Sequence, residues 1–194
     1  VSTEDEEIAL FAKRFGATVL IRDHEMADDL STLDPVIVYA TKQAEREMGV
    51  NASIIVTVQP TSPLITPEDI NSSVELFRSD KSLDSVLSVV DDRHLCWSLN
   101  EGNAVPAYKE RVNRQQLKPN FRETGALIAC TREQLTRGTR IGCNVALLEV
   151  PQVRSFDIDD FFAQVDLVKH LSPTRGNGLT AMVKKIQLTA TELG

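Results

Sequence analysis

Apolar positions along this chain alternate between two periods. Ser53-Ile54-Ile55-Val56-Thr57-Val58 is apolar on both alternating faces and rich in β-branched residues. That pattern predicts a strand buried on both sides, as in parallel α/β sheets. Asp84 to Val90 predicts another apolar strand, and Ala17 to Arg22, Gly125 to Cys130 and Val145 to Val150 predict three more. Between them the period becomes helical. Ile8, Phe11, Ala12 and Phe15 share one face of a first helix, opened by a Thr3/Glu6 capping box and ended by Gly16. Val36, Ile37, Ala40, Ala44 and Met48 mark the inward face of a helix over 33–48, with Gly49 at its end. A helix over about 67–78 takes Thr66 as N-cap, Pro67 as first residue and Asp69 as the capping-box partner. Thr131 caps a short helix, and Phe161, Val165 and Val168 share a face of a helix over 160–171.

Strands alternating with helices predict an α/β sandwich with a mainly parallel sheet. Residues 91–123 break the rhythm. They are polar, carry Gly102, Pro106 and Pro119, and sustain neither period. A stretch of that length is too long for an ordinary loop and reads as an excursion with its own role. The expected organisation is one domain over 1–171 containing this excursion, then a tail over 172–194 of unread role.

Composition narrows the class. With 194 residues, 42% hydrophobic and 25% charged, the chain suits a globular domain and excludes a disordered one. No apolar run approaches the roughly 20 residues of a membrane helix. No basic segment precedes an apolar stretch as in a signal peptide. Cys96, Cys130 and Cys143 form no C-x-x-C pair and read as reduced, mostly buried thiols. Together these features point to the cytoplasm and to no membrane partner. A net charge of −7 argues against nucleic acid. The charge is uneven, however: Lys109, Arg111, Arg114, Lys118 and Arg122 stand against Glu110 alone. Such a patch is either an anion site or a solvated basic face.

Two segments carry candidate chemistry. Gln59-Pro60-Thr61-Ser62-Pro63-Leu64 follows the buried strand, at the strand end where ligands bind in such sheets. It offers one amide and two hydroxyls on a backbone stiffened by two prolines, though such residues also punctuate ordinary strand-to-helix turns. Asp157-Ile158-Asp159 sets two carboxylates at i and i+2, on one face if extended. Two hard oxygen ligands suit Mg²⁺; equally, one of these acids or Asp160 caps the following helix. His24, His94 and His170 show no ligand spacing, and Trp97 reads as packing in the excursion.

The six residues from Gln59 to Leu64 resemble the Gln-Pro-Thr-Ser-Pro-Leu motif of the acylneuraminate cytidylyltransferases, which join CMP to sialic acids and related nine-carbon sugar acids. Val1 to Ala9, Arg114-Gln115-Gln116-Leu117, Thr124-Gly125-Ala126 and Ser155 to Asp159 resemble further segments in the family's order. The resemblance covers about residues 1–171. It implies a Rossmann-like nucleotidyltransferase with a dimerisation excursion at 91–123, using CTP, a nine-carbon sugar acid and Mg²⁺ and releasing pyrophosphate. It implies that Asp157 and Asp159 hold the metal and that Gln59 contacts the sugar, with Thr61 and Ser62 beside it. Arg114 and Arg122 would reach the neighbouring subunit's site in a homodimer, and Arg22 and Ser31 fall where the family contacts cytidine.

The pattern is broken twice. No glycine-rich triphosphate loop stands before these motifs, and Gly176 and Gly178 lie near the other end. The expectation is a truncated or degenerate member with little or no turnover as it stands. Its rivals are a non-catalytic dimeric relative, or a nucleotidyltransferase acting on a sugar phosphate. Secondly, Thr124-Gly125-Ala126-Leu127-Ile128 stands where the family commonly has Asn-Gly-Ala-Ile-Tyr, which removes one polar contact.

Overall fold

The computed structural model describes residues 1–23 and 32–158. The chain opens with a two-residue strand β1 (Ser2–Thr3), helix α1 (Glu6–Arg14) and a second short strand β2 (Leu20–Ile21), parallel to β1. The α1 cap corrects the sequence expectation. Asp5, not Thr3, is the N-cap, and its carboxylate accepts the Ile8 N–H at 2.8 Å. Asp5 with Glu6 and Glu7 places negative charge at the positive end of the helix. The carbonyl of Thr3 is meanwhile committed to the Arg22 N–H at 3.2 Å. Gly16 ends the helix at φ +81°, as expected.

The face of α1 is the second correction. Ala9 is the buried position, while Ile8, Phe11 and Phe15 are exposed. The Phe11 and Phe15 rings meet at a tilt of 46°, with centroids 5.0 Å apart. The strand expected over 17–22 is shorter, Leu20–Ile21, and pairs with Ser2 and Thr3 of β1.

Helix α2 (Leu33–Met48) has the bounds its periodicity predicts and ends on Gly49 at φ +65°. Strand β3 (Ile54–Val58), helix α3 (Pro67–Ser79) and strand β4 (Ser85–Asp91) follow. The excursion contains an antiparallel hairpin of β5 (Trp97–Asn100) and β6 (Asn103–Pro106), then a one-turn 3-10 helix at Arg114–Gln116. The hairpin turn places Glu101 and Gly102 at φ +49° and +83°. Two positive φ values in a two-residue loop make the tight turn that matches strand twist. Strand β7 (Phe121–Thr131), helix α4 (Arg132–Thr136), strand β8 (Val145–Glu149) and a second one-turn 3-10 helix at Gln152–Arg154 complete the described elements. Thr131 caps α4 as expected, its hydroxyl accepting from the Gln134 N–H at 3.1 Å. The helix expected over 160–171 lies outside the described residues.

The main sheet has the order β3-β7-β4-β8. Gln59 N–H donates to Ala126 O while Arg132 N–H donates to Ser53 O, so β7 runs against β3. Asp84 N–H donates to Asn144 O and Val150 N–H to Val89 O, so β8 runs with β4. Three strands share a direction and β7 reverses it: a Rossmann-like α/β sheet, mainly parallel. The expectation that β3 is buried on both sides is corrected. Among the described residues it is an edge strand of partial exposure, whereas β4, flanked on both sides, is buried from Ser85 to Val90.

The chain gathers into two compact units. The first comprises Val1–Thr57, Pro67–Leu87 and Leu127–Leu148, the second Val58–Thr66, Ser88–Ala126 and residues from Glu149 on. In the first, Phe77, Leu83, Val86, Leu127, Cys130 and Leu135 form the core. Val36 joins it, and the Arg140 guanidinium meets Asp34 at 2.5 Å. In the second, Val89, Val90, Ala126 and Val150 are buried. Among the described residues no helix is long and apolar enough to cross a membrane.

The cysteines divide. Cys130 is buried and burial pushes its thiol up to about 11, while Cys96 and Cys143 are exposed, against the expectation of mostly buried thiols. Trp97 is likewise 58% exposed instead of packed, touching Tyr108 edge-on at 6.0 Å between centroids.

Candidate active site

The second unit brings two of the sequence-predicted groups to one point. Gln59 follows β3 directly, and its backbone N–H donates to Ala126 O at 3.1 Å. The next residues turn back: Ser62 N–H donates to Gln59 O at 3.2 Å, and the prolines at 60 and 63 limit the loop's freedom. Arg154 holds the far side of that loop through Nη1, which donates to Leu64 O at 3.2 Å. Ile158 N–H then donates to Thr61 O at 2.8 Å, laying the Asp157 segment along the loop.

Gly125 sits between these parts. A Cβ placed on it would meet Asp157 Oδ2 at 3.7 Å and Gln59 Nε2 at 4.0 Å. Carboxylate and amide thus both lie within contact distance of the position a side chain on residue 125 would take. The φ of +71° at Gly125 favours glycine there. Asp157 is exposed and Gln59 partly so, which leaves both accessible to a ligand.

The other expected residues are placed as follows. Thr61 is half-buried and contributes its carbonyl to the Ile158 bond. Ser62 is 1% exposed, and its hydroxyl has no hydrogen-bond partner among the described residues. Arg114 is exposed on the one-turn helix. Arg122 is exposed at the start of β7, with Nε 3.5 Å from Asp92 Oδ2, while His94 Nδ1 lies 2.8 Å from the other oxygen of Asp92. Arg22 belongs to the first unit and is ion-paired with Glu4, its Nε donating to Oε2 at 2.6 Å. Ser31 and Asp159 lie outside the described residues.

Asp157 alone can be tested as a magnesium ligand. It is an exposed carboxylate next to Gly125. Mg²⁺ is held by one or two carboxylates with waters and substrate phosphates, so this donor fits. Among the described residues no cluster of three or more acidic, histidine or cysteine side chains forms a protein-only metal cage.

Sequence reasoning misses Ser88. Its hydroxyl lies 2.7 Å from that of Thr124, both residues being buried. A lone hydroxyl amid Val86, Leu87, Val89 and Val90 is the available signal, since a buried polar group is nearly always hydrogen-bonded.

Comparison with known proteins adds the following. A family model described as "Cytidylyltransferase" matches residues 1–142, and one described as "Fe-S metabolism associated domain" matches 145–190. N-acylneuraminate cytidylyltransferase A of Danio rerio is 30% identical over 169 residues, covering 82% of this chain and 37% of the relative. This chain therefore spans well under half of that protein's length. CMP-N,N'-diacetyllegionaminic acid synthase of Legionella pneumophila subsp. pneumophila is 27% identical over 140 residues, covering 70% of this chain and 60% of the relative. Among solved structures, CMP:2-keto-3-deoxy-manno-octonic acid synthetase complexed with CTP matches with a TM-score of 0.58. It covers 88% of this chain and 78% of that one at 15% identity, a likeness of fold.

Proposed function

This chain belongs to the cytidylyltransferase family, and from that premise we propose that it transfers CMP from CTP to a sialic-acid-type sugar acid. One observation carries the reading: the Gln59 amide and the Asp157 carboxylate meet at Gly125, within motifs shared in order with enzymes of that substrate class. In the reaction a sugar hydroxyl attacks the α-phosphorus of CTP. A new P–O bond forms, the bond to the β-phosphate oxygen breaks, pyrophosphate leaves, and the hydroxyl proton passes to solvent.

Gln59 presents its amide to the sugar acid, able to donate and accept hydrogen bonds. Asp157, with Asp159, would hold Mg²⁺, whose chemistry when bound would be to offset negative charge on the phosphates. Thr61 fixes the loop through its carbonyl. Arg22 and Ser31 are assigned to cytidine, and Arg114 and Arg122 to the sugar acid in a neighbouring subunit's site, where a guanidinium fork suits a carboxylate.

The homodimer belongs to the proposal. Its support is the hairpin: Trp97 stands opposite Pro106 and Leu99 opposite Ala104, so one exposed face is apolar throughout. A two-stranded hairpin is marginal in isolation.

The test is a pyrophosphate-release assay with CTP, Mg²⁺ and N-acetylneuraminic acid, run beside a hexose 1-phosphate. Release with the sugar acid alone supports the reading, and release with the sugar phosphate alone overturns the substrate class. No release and no metal-dependent CTP binding by calorimetry would overturn the reaction for this chain.

A further inference from the structure

We infer that Thr124 and Ser88 are positioning residues that set the gap between Gln59 and Asp157. Both hydroxyls are buried, with Ser88 1% and Thr124 4% exposed. Thr124 Oγ1 lies 2.7 Å from Ser88 Oγ and 3.3 Å from Ser88 O, and the Ala126 N–H reaches it at 3.3 Å. A hydroxyl has one proton and two lone pairs. With the Thr124 proton on the Ser88 carbonyl, Ser88 Oγ must donate to Thr124, and Ala126 N–H fills the remaining lone pair. Every hydrogen-bonding valence of the Thr124 hydroxyl is then used.

The consequence falls on Gly125. The Ala126 N–H bond to Thr124 closes a turn across it, and the next carbonyl, Ala126 O, accepts the Gln59 N–H at 3.1 Å. The φ of +71° at Gly125 is therefore pinned from β4. The same bonds fix where the Gln59 backbone sits relative to the strand that faces Asp157. Neither hydroxyl is exposed to a ligand. They act through Gly125 and Gln59, and the effect on sugar-acid binding rests on the reading under Proposed function.

The experiment compares Thr124→Val, which keeps the shape and removes the hydroxyl, with Thr124→Ser, which restores it. Amide hydrogen exchange is followed at Gly125 and Ala126, and KM is measured separately for sugar acid and CTP. The expected result for Thr124→Val is at least tenfold faster exchange at Ala126 and at least tenfold higher KM for the sugar acid. Its KM for CTP stays within twofold, and Thr124→Ser returns both quantities close to the parent. Ser88→Ala serves if Thr124→Val does not fold, and shifts the same quantities in the same direction by less. Unchanged exchange at Ala126, or equal rises in both KM values, overturns the inference. A parent protein that uses no sugar acid removes the functional reading instead, and exchange alone then decides whether the hydroxyl pair holds the turn.

Discussion

The Ile158 N–H donates to the Thr61 carbonyl at 2.8 Å, and this contact lays the Asp157 segment along the loop that carries Gln59. Ile158→Pro deletes the donor. We expect it to lower sugar-acid turnover by on the order of tenfold or more, since a small misplacement at a reacting site is costly. Steady-state kinetics of the variant, with circular dichroism to show the fold intact, checks this.

Asp157→Asn keeps the size and removes the charge. The side chain is exposed, so stability should change by less than about 0.5 kcal/mol. Turnover with Mg²⁺ should fall on the order of a hundredfold, because a ligated cation supplies several kcal/mol of charge stabilisation. Urea denaturation and the pyrophosphate assay separate the two effects. Retained turnover would refute the proposal that Asp157 binds the metal.

Cys130 gives the chain an alkaline weakness. Burial raises its thiol from 9.0 to about 11. In the unfolded chain the thiol ionises first, so the unfolded state binds fewer protons between those values and stability falls as pH rises through the window. Below pH 9 the contribution is fully present. Within the window, each rise of one pH unit removes at most about 1.4 kcal/mol. Denaturant titrations from pH 8 to 11 on the parent and on Cys130→Ala should show the slope disappear in the variant.

Gly142 has no room for a side chain. A Cβ there would lie 2.2 Å from the Asp84 Cβ. Asp84 cannot swing away freely, because its Oδ2 accepts the N–H groups of Cys143 and Asn144 at 3.0 and 2.9 Å. Gly142→Ala should cost about 2 to 3 kcal/mol, read as a lower denaturation midpoint at unchanged slope.

Trp97→Ser with Leu99→Ser tests the hairpin face. Both side chains are exposed, at 58% and 79%, so the fold should survive. If this face joins two copies, sedimentation should show the parent as a dimer and the double variant as a monomer. A parent already monomeric at high concentration would refute the dimer.

How much of the molecule is readable from its sequence depends on local chemistry. α2 is legible to the residue because Gly49 adopts the left-handed φ that ends a helix. The α4 cap is legible because a threonine hydroxyl before a helix has little else to bond. The α1 face is not: the apolar stripe of Ile8, Phe11 and Phe15 predicts burial, and only the packing around Ala9 shows which side turns inward. The hairpin is hidden because its strands are four residues long and its turn places Glu101 at positive φ in place of the usual asparagine. In the site, Gln59 and Asp157 are legible from motifs. The hydroxyl pair behind them is not, since Ser88 and Thr124 stand 36 positions apart and only the β4–β7 pairing makes them neighbours.

The place of β3 at the rim of its sheet has a practical consequence. Ile54-Ile55-Val56 is uncharged, β-branched and free of proline, without the lysines that keep rims of sheets from pairing. Two such rims laid side by side would extend the sheet from one molecule into the next. Turbidity on concentration should therefore begin at this strand, and Ile55→Lys would lengthen the life of the protein in solution.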